Sequence, residues 1–95
     1  MNSKQISFLR GLGHTLNPVV MIGNNGLTES VLKEIEVSLK SHELIKIKVF
    51  GDDRDARLAM LEEICEKTGA TAVHHIGKQL VVYRQGDPAK IVIPK

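Results

Sequence analysis

The sequence predicts an α/β (α+β) two-layer sandwich, in which a four-stranded mixed sheet carries helices mainly on one face. Apolar residues recur at helical spacing in three segments, short β-branched runs separate those segments, and two strand-like runs close the chain. The resulting order is α-β-α-β-α-β-β. In this order, strands separated by helices pair in parallel and the closing strands form an antiparallel hairpin.

The first helix is predicted to follow Ser3 as its N-cap, because apolar side chains then recur every three or four residues. These side chains are Ile6, Leu9, Leu12 and Leu16. Asn17-Pro18 is expected to end the helix, since the residue before a proline avoids the helical region. Residues 19–22 are mostly β-branched and too few for a helix, which indicates a buried strand.

The second helix is predicted to begin after Thr28, whose side chain can cap it, with Glu29 in its first turn. Its apolar face is formed by Val31, Leu32, Ile35 and Leu39. Residues 44–50 then alternate, so that Lys46 and Lys48 point away from the apolar side. We expect this strand to be buried on one face and open to solvent on the other.

The third helix follows a turn at residues 51–55 that is rich in aspartate. Those aspartates are expected to cap the helix and to complement its dipole rather than to bind a cation. The buried side of the helix is formed by Ala56, Met60, Leu61 and Ile64. Gly69 is expected to end it.

The chain closes with two strands, residues 71–76 and 79–84, which form a hairpin across Gly77-Lys78. The final apolar run, residues 91–93, either extends the sheet or packs as a tail. Because no linker or internal repeat divides the chain, residues 1–95 are predicted to form a single domain.

The composition limits the classes of function. The chain is 42% apolar and 25% charged, as in globular proteins, and its aromatic residues are only Phe8, Phe50 and Tyr83. Proteins that bind single-stranded RNA on a sheet usually stack bases on exposed aromatics, so this scarcity argues against that mode. The net charge is +2, and the excess lies in residues 1–50, which is compatible with an anionic partner.

Cysteine usage and hydropathy indicate the compartment. Cys65 is the single cysteine and cannot form an intrachain disulfide, as is usual for small cytosolic proteins. The first residues lack the apolar run of a signal peptide, and no stretch approaches the ~20 apolar residues that span a bilayer. We therefore expect a soluble, cytoplasmic protein with no membrane partner.

The turn Gly23-Asn24-Asn25-Gly26 is the best candidate for contact with a ligand. It joins a predicted strand to a predicted helix, and its glycines allow positive φ and a close approach of the backbone to a ligand. The N–H groups at the start of the helix can hold a phosphate. In nucleic-acid binders of the KH type, a GXXG loop clamps the sugar-phosphate backbone. The alternative is a plain strand-to-helix turn, since Asn and Gly are common turn residues.

Other chemistry is not supported by the spacing of residues. A dinucleotide-binding loop would have a glycine in place of Met21, and a P-loop would have a lysine after Gly26. His74 and His75 are adjacent on a predicted strand and face opposite sides, which is poor geometry for one metal ion. No catalytic spacing of Ser, His and Asp is present, so we expect no enzyme activity, cofactor, metal site or small-molecule substrate.

Three ordered motifs give the chain a family resemblance. They read GNNGLT at residues 23–28, HELIKIK at residues 42–48 and IGKQLVVYR at residues 76–84. In them the chain resembles the CRM domain, named for chloroplast RNA splicing and ribosome maturation, and above all its stand-alone bacterial YhbY-like members. The resemblance implies an assembly factor that associates with precursors of the large ribosomal subunit through ribosomal RNA. It also implies a fold similar to the C-terminal domain of a bacterial translation initiation factor.

The resemblance implies RNA contact at the glycine turn, which holds two asparagines and no basic residue. We therefore expect neighbouring lysines and arginines to supply the positive charge. The predicted RNA-binding residues are Gly23, Asn24, Asn25, Gly26, Leu27, Thr28, Lys4, Arg10, Lys46, Lys48, Lys78 and Arg84. The chain is expected to act as a monomer. A protein-interaction adaptor that uses the open sheet face is the alternative function.

Overall fold

The computed structural model describes residues 1–94, which form three helices and one four-stranded sheet. In chain order, the elements are α1 (Ser3–Gly13), β1 (Val20–Ile22), α2 (Glu29–His42), β2 (Leu44–Val49), α3 (Arg54–Thr68), β3 (Thr71–Ile76) and β4 (Gln79–Tyr83). The strand order is β1-β2-β4-β3, with β1 parallel to β2 and with β4 antiparallel to both of its neighbours. The predicted element order and the mixed sheet are confirmed.

The bounds of α1 differ from the prediction at both ends. Asn2, not Ser3, is the N-cap, because its side chain accepts a hydrogen bond from the N–H of Gln5 at 2.8 Å and the Gln5 side chain accepts one in return at 3.1 Å. The helix ends at Gly13, well before the expected stop at Asn17-Pro18. A Cβ at Gly13 would lie 3.1 Å from Val81, so glycine allows the end of α1 to approach β4 closely.

The caps of α2 and α3 agree with the prediction. Thr28 and Asp53 each accept a hydrogen bond at 3.2 Å from a backbone N–H in the first turn of the helix that follows. Gly69 ends α3 in the left-handed conformation, with φ at +75°. These local signals fix where both helices begin and where α3 ends.

The larger apolar core lies between the sheet and the helices α2 and α3. Its buried members are Val20, Ile22, Ile35, Leu39, Ile45, Ile47, Val49, Leu61, Ile64, Ala70, Leu80 and Val82. Each fully buried aliphatic side chain contributes roughly 1.5 to 3 kcal/mol relative to exposure. Two of the three helices therefore share one face of the sheet, as predicted.

The opposite face of the sheet is covered in its centre by α1, which was not predicted. Leu9 is fully buried there, in a second core with Leu44, Val73, Val81 and Tyr83. The expectation that β2 is open to solvent on this side is wrong for Lys46, which is only 5% exposed. Alternation alone could not reveal this, because a lysine can bury its long aliphatic stem against apolar neighbours.

Glu43 fastens the C-terminal segment to the sheet. The residue follows α2 directly, has no exposed area and adopts a φ of +63°. Its carboxylate accepts hydrogen bonds from the backbone N–H groups of Gly86, of Lys90 at 2.9 Å and of Ile91 at 2.8 Å. Its carbonyl oxygen accepts a further bond from the N–H of Arg84 at 2.9 Å. One residue thus fixes the path of the chain after β4.

The run at residues 91–93 packs as a tail and is not a strand of the sheet. Ile91 and Ile93 lie against the core under α1, while Val92 is 86% exposed. The side chain of Gln5 donates a hydrogen bond to the carbonyl oxygen of Pro94 at 3.2 Å. The tail and α1 therefore cover the second face together.

The carboxyl group of Glu43 has a lowered pKa. Desolvation by burial acts to raise that pKa, but the three backbone N–H donors and the nearby Lys90 ammonium together outweigh it. A carboxyl whose pKa is lower in the folded state adds stability above its unfolded pKa of about 4.3. That stability is lost as the pH falls through the folded value.

We predict that Glu43→Gln lowers the free energy of unfolding at pH 7 by on the order of 2 kcal/mol, because its amide NH₂ would face backbone N–H donors. Urea unfolding monitored by circular dichroism measures the change. Glu66→Gln, on the exposed surface of α3, is the control and should change stability by less than about 0.5 kcal/mol. Equal losses in the two variants would contradict the role given to Glu43.

The contribution of the Glu43 carboxylate should also depend on pH. We predict that the difference in stability between the wild type and Glu43→Gln is largest at neutral pH and shrinks on acidification below about pH 4.3. Urea unfolding of both proteins between pH 7 and pH 3 measures this. A difference that stays constant over that range would mean that the charge of Glu43 is not the source of the stability.

Candidate nucleic-acid interface

The glycine turn, residues 23–26, is an exposed loop at the carboxyl end of β1. The N–H of Gly26 donates to the carbonyl oxygen of Gly23 at 3.0 Å and closes the turn. Asn24 and Asn25 at its tip are exposed, and within residues 1–94 their N–H groups donate to no acceptor. Backbone donors that are open to solvent are suited to bind a phosphate.

The two glycines of the turn have different roles. Gly26 has a φ of +71°, a conformation that residues with a side chain rarely adopt. Gly23 is not among the described residues with positive φ, and a Cβ there would meet nothing within 4 Å. The expectation that both glycines use positive φ therefore holds for Gly26 alone.

The residues after the turn anchor it. Leu27 is half-buried and packs against the core between the sheet and the helices α2 and α3. Thr28 caps α2, and its N–H donates to the carbonyl oxygen of Gly26 at 3.1 Å. Both were predicted to contact RNA, and both have a structural role that holds the loop in place.

Beside the turn, α1 leaves part of the second sheet face uncovered. Met21, Lys48, Gln79 and Ile76 lie in one register row across the four strands, on the side away from the helices α2 and α3. Phe50 follows β2, two residues after Lys48, so the two share one face of the extended chain. We call these five residues the open strip. Met21 is 58% exposed, Phe50 47% and Ile76 43%.

The open strip adjoins the glycine turn. The N–H of Phe50 donates to the carbonyl oxygen of Ile22 at 2.9 Å, which places Phe50 next to Gly23. The ammonium of Lys48 lies 5.2 Å from the centroid of the Phe50 ring, within the range of a cation–π contact. An aromatic ring, a cation and open backbone donors therefore meet at one edge of the sheet.

Lys78 is a second cation near this edge. It lies in the turn between β3 and β4, and its carbonyl oxygen accepts a hydrogen bond from the N–H of Val49 at 2.7 Å. Its ammonium is 3.1 Å from a carboxylate oxygen of Asp52, in an ion pair exposed to solvent. Because exposed pairs contribute little, at most about 1 kcal/mol, Lys78 can exchange Asp52 for a phosphate.

Two predicted basic residues and one histidine lie at the contact between α1 and the sheet instead. The Nε of Arg10 donates to the carbonyl oxygen of Val73 at 2.8 Å and ties α1 to β3. Lys46 is buried, and the Nδ1 of His74 is buried without a hydrogen-bond partner among residues 1–94. Desolvation lowers the pKa of His74, and the charges of Arg10, His75 and Lys46 lower it further. His74 is therefore neutral at physiological pH.

Arg84 and Lys4 lie away from the turn. One Nη atom of Arg84 donates to both carboxylate oxygens of Glu36 at 2.9 Å and to the carbonyl oxygen of Thr68 at 2.8 Å. The guanidinium thus links α2 to the end of α3, and the contact of Arg84 with RNA stays a prediction. Lys4 is exposed in the first turn of α1, at the end that meets the C-terminal tail.

Sequence reasoning missed Phe50 as a neighbour of the turn. The signal was present, because Phe50 and Lys48 are two residues apart and so share one face of an extended chain. Parallel pairing of β1 with β2 then brings the carboxyl ends of both strands together. Combining those two facts would have placed the ring beside Gly23.

Other kinds of site find little support in the geometry. His75 accepts a hydrogen bond from Arg57 at 3.4 Å on the α3 side, so the two adjacent histidines do face opposite sides. Burial raises the pKa of the half-buried Cys65 thiol, which disfavours the reactive thiolate. Over residues 1–94, no three His, Cys, Asp or Glu side chains are grouped so that they could hold a metal ion.

None of the helices in the described part of the chain combines the length and the apolar character needed to cross a bilayer.

Comparisons with known proteins point to one family. The family model of the CRS1 / YhbY (CRM) domain matches residues 1–84. A protein of Haemophilus influenzae named "RNA-binding protein" is 52% identical over 95 residues, which cover 100% of this chain and 96% of that protein. A Pseudomonas aeruginosa protein named "Probable RNA-binding protein" is 42% identical over 85 residues, which cover 90% of this chain and 82% of the relative.

A solved structure shares the fold. A hypothetical protein from Staphylococcus aureus is 33% identical in sequence and superposes with a TM-score of 0.87. The match covers 99% of both chains. The mixed sheet and three helices therefore occur in a relative whose structure was determined in solution.

The different roles of the two glycines can be tested by matched substitutions. We predict that Gly26→Ala lowers the free energy of unfolding by roughly 1 kcal/mol, because alanine is strained at positive φ. Gly23→Ala should change it by less than about 0.5 kcal/mol. Urea unfolding of both variants measures the difference. A larger loss for Gly23→Ala than for Gly26→Ala would show that the turn has another conformation.

Proposed function

Since the chain belongs to the CRS1 / YhbY (CRM) domain family, we propose that it is an RNA-binding protein whose interface consists of the glycine turn, the open strip and Lys78. The observation that carries this proposal is the meeting of open backbone donors and two accessible cations at one sheet edge. Relatives that are named for RNA binding support it.

In this interface, the turn positions the RNA backbone and the lysines attract it. The N–H groups of Asn24 and Asn25 donate to phosphate oxygens, and their amide side chains reach the sugar edge. Lys48 and Lys78 supply the positive charge that the turn itself lacks. Lys46 is buried, so it adds to the positive potential of this face without direct contact. Arg10 is exposed on α1 while its Nε binds the carbonyl oxygen of Val73, and its contact with RNA stays a prediction.

We further propose that the RNA belongs to precursors of the large ribosomal subunit and that the protein acts there as a monomeric assembly factor in the cytoplasm. The support is the family, whose name includes ribosome maturation. An interface of one turn and one strip suits a single helical element of a folded RNA rather than a long single strand.

A protein partner is the second candidate, and one apolar cleft favours it. The cleft has a volume of about 460 Å³ and lies between the end of α1 and the start of β1 and β2. Its apolar lining is formed by Leu12, Leu16, Val19, Leu44, Ile45 and Ile91. In that case the protein would be an adaptor, and its binding would survive removal of RNA.

Binding should depend on salt through the two accessible lysines. We predict that Lys48→Ala and Lys78→Ala each weaken binding to ribosomal RNA and each reduce the slope of log affinity against log salt by about one unit. Filter binding over a salt range of about 50 to 200 mM measures the affinity and its slope. Lys40→Ala, on the exposed last turn of α2, is the control and should leave the slope unchanged.

The ribosomal partner can be tested by sedimentation of the native protein. We predict that it travels with precursors of the large subunit and returns to the top of the gradient after ribonuclease treatment. Comigration that persists without RNA would favour the adaptor instead. If the protein never enters the ribosomal fractions, the assembly role is contradicted. RNA binding itself would then be tested by the salt experiment alone.

A further inference from the structure

The exposed ring of Phe50 calls for an explanation. A single exposed apolar residue is ordinary on a protein surface. Phe50, however, is 47% exposed two residues after Lys48, whose partner on the neighbouring strand is the exposed Met21, and it lies next to Gly23. An exposed ring with a second exposed apolar side chain close by is suited to pack against another molecule.

The charge of the open strip limits what that molecule can be. Lys48 is its only ionisable residue, and among residues 1–94 no carboxylate lies within 4.0 Å of the Lys48 ammonium. The ammonium stands 5.2 Å from the centre of the Phe50 ring. An occupant that fits must place a flat apolar group and a negative charge close together, as the base and phosphate of a nucleotide do.

The glycine turn supplies the second contact at the right place. Its open N–H groups, on Asn24 and Asn25, belong to the loop that begins directly beside Phe50. A strand of RNA that lays its phosphates on the turn therefore brings a base over the ring. Bases inside a continuous duplex are already stacked on their neighbours, so only an unpaired base can turn onto a protein surface.

We propose that Phe50 is a stacking platform for one unpaired nucleobase, and that the protein selects RNA with a bulged or looped-out nucleotide at the glycine turn. This inference rests on the proposed function and gives it a substrate class. It also revises the expectation from composition that aromatics are too few for stacking. One ring is enough for one nucleotide, provided that the fold places it beside the phosphate contacts.

The test compares two RNA hairpins that differ by one bulged 2-aminopurine nucleotide. Stacking of that base on Phe50 changes its fluorescence, so the readout reports the contact as well as the affinity. We expect the wild type to prefer the bulged hairpin, Phe50→Ala to lose about tenfold in affinity for it, and Phe50→Tyr to retain the preference. Affinity for the continuous hairpin should be the same in all three proteins.

Val37→Ala is the matched control, because Val37 is 61% exposed on α2, the helix on the opposite sheet face. Circular dichroism and urea unfolding check that Phe50→Ala is folded. If the wild type binds RNA in a salt-dependent manner but Phe50→Ala binds the bulged hairpin equally well, the stacking platform is wrong and the proposed function stands. If the wild type binds neither hairpin nor ribosomal RNA, both are wrong.

Discussion

The buried carboxylate of Glu43 is the contact on which the arrangement of the second sheet face depends. Its backbone is held at a φ of +63°, a conformation that costs on the order of 1 kcal/mol for a residue with a side chain. That conformation turns the chain sharply from α2 into β2 and aims the carboxylate at three N–H groups of the segment after β4. The tail then packs beside α1, and together they close the second core over Leu9 and Tyr83.

The parts of the fold that could be predicted are those with local physical causes. Thr28, Asp53 and Gly69 mark helix ends because each acts on backbone groups within a few residues. The placement of α1 could not be predicted, since the order of elements does not state which face a helix covers. Glu43 was also missed, because its partners lie more than 40 residues away in the chain.

In the candidate site too, only the features with local causes could be predicted from the sequence. The glycine turn is a local pattern and was found from four residues. Whether a lysine or arginine is accessible depends on distant contacts, so Lys48 and Arg84 look alike in the sequence. In the folded protein, Arg84 is held by Glu36 and Thr68, whereas Lys48 remains at the surface beside the turn. The fold thus separates the basic residues that stabilise it from those that a phosphate can reach.

The hydrogen bond between Gln5 and Pro94 has a consequence for how such a domain can be used. It joins the first turn of α1 to Pro94, at the other end of the described chain, on the side of Tyr83. Tyr83 pairs with Leu44, at the opposite end of β2 from the glycine turn. Polypeptide joined at either end would therefore leave the turn unobstructed, so the domain is suited to insertion into larger proteins and to circular permutation.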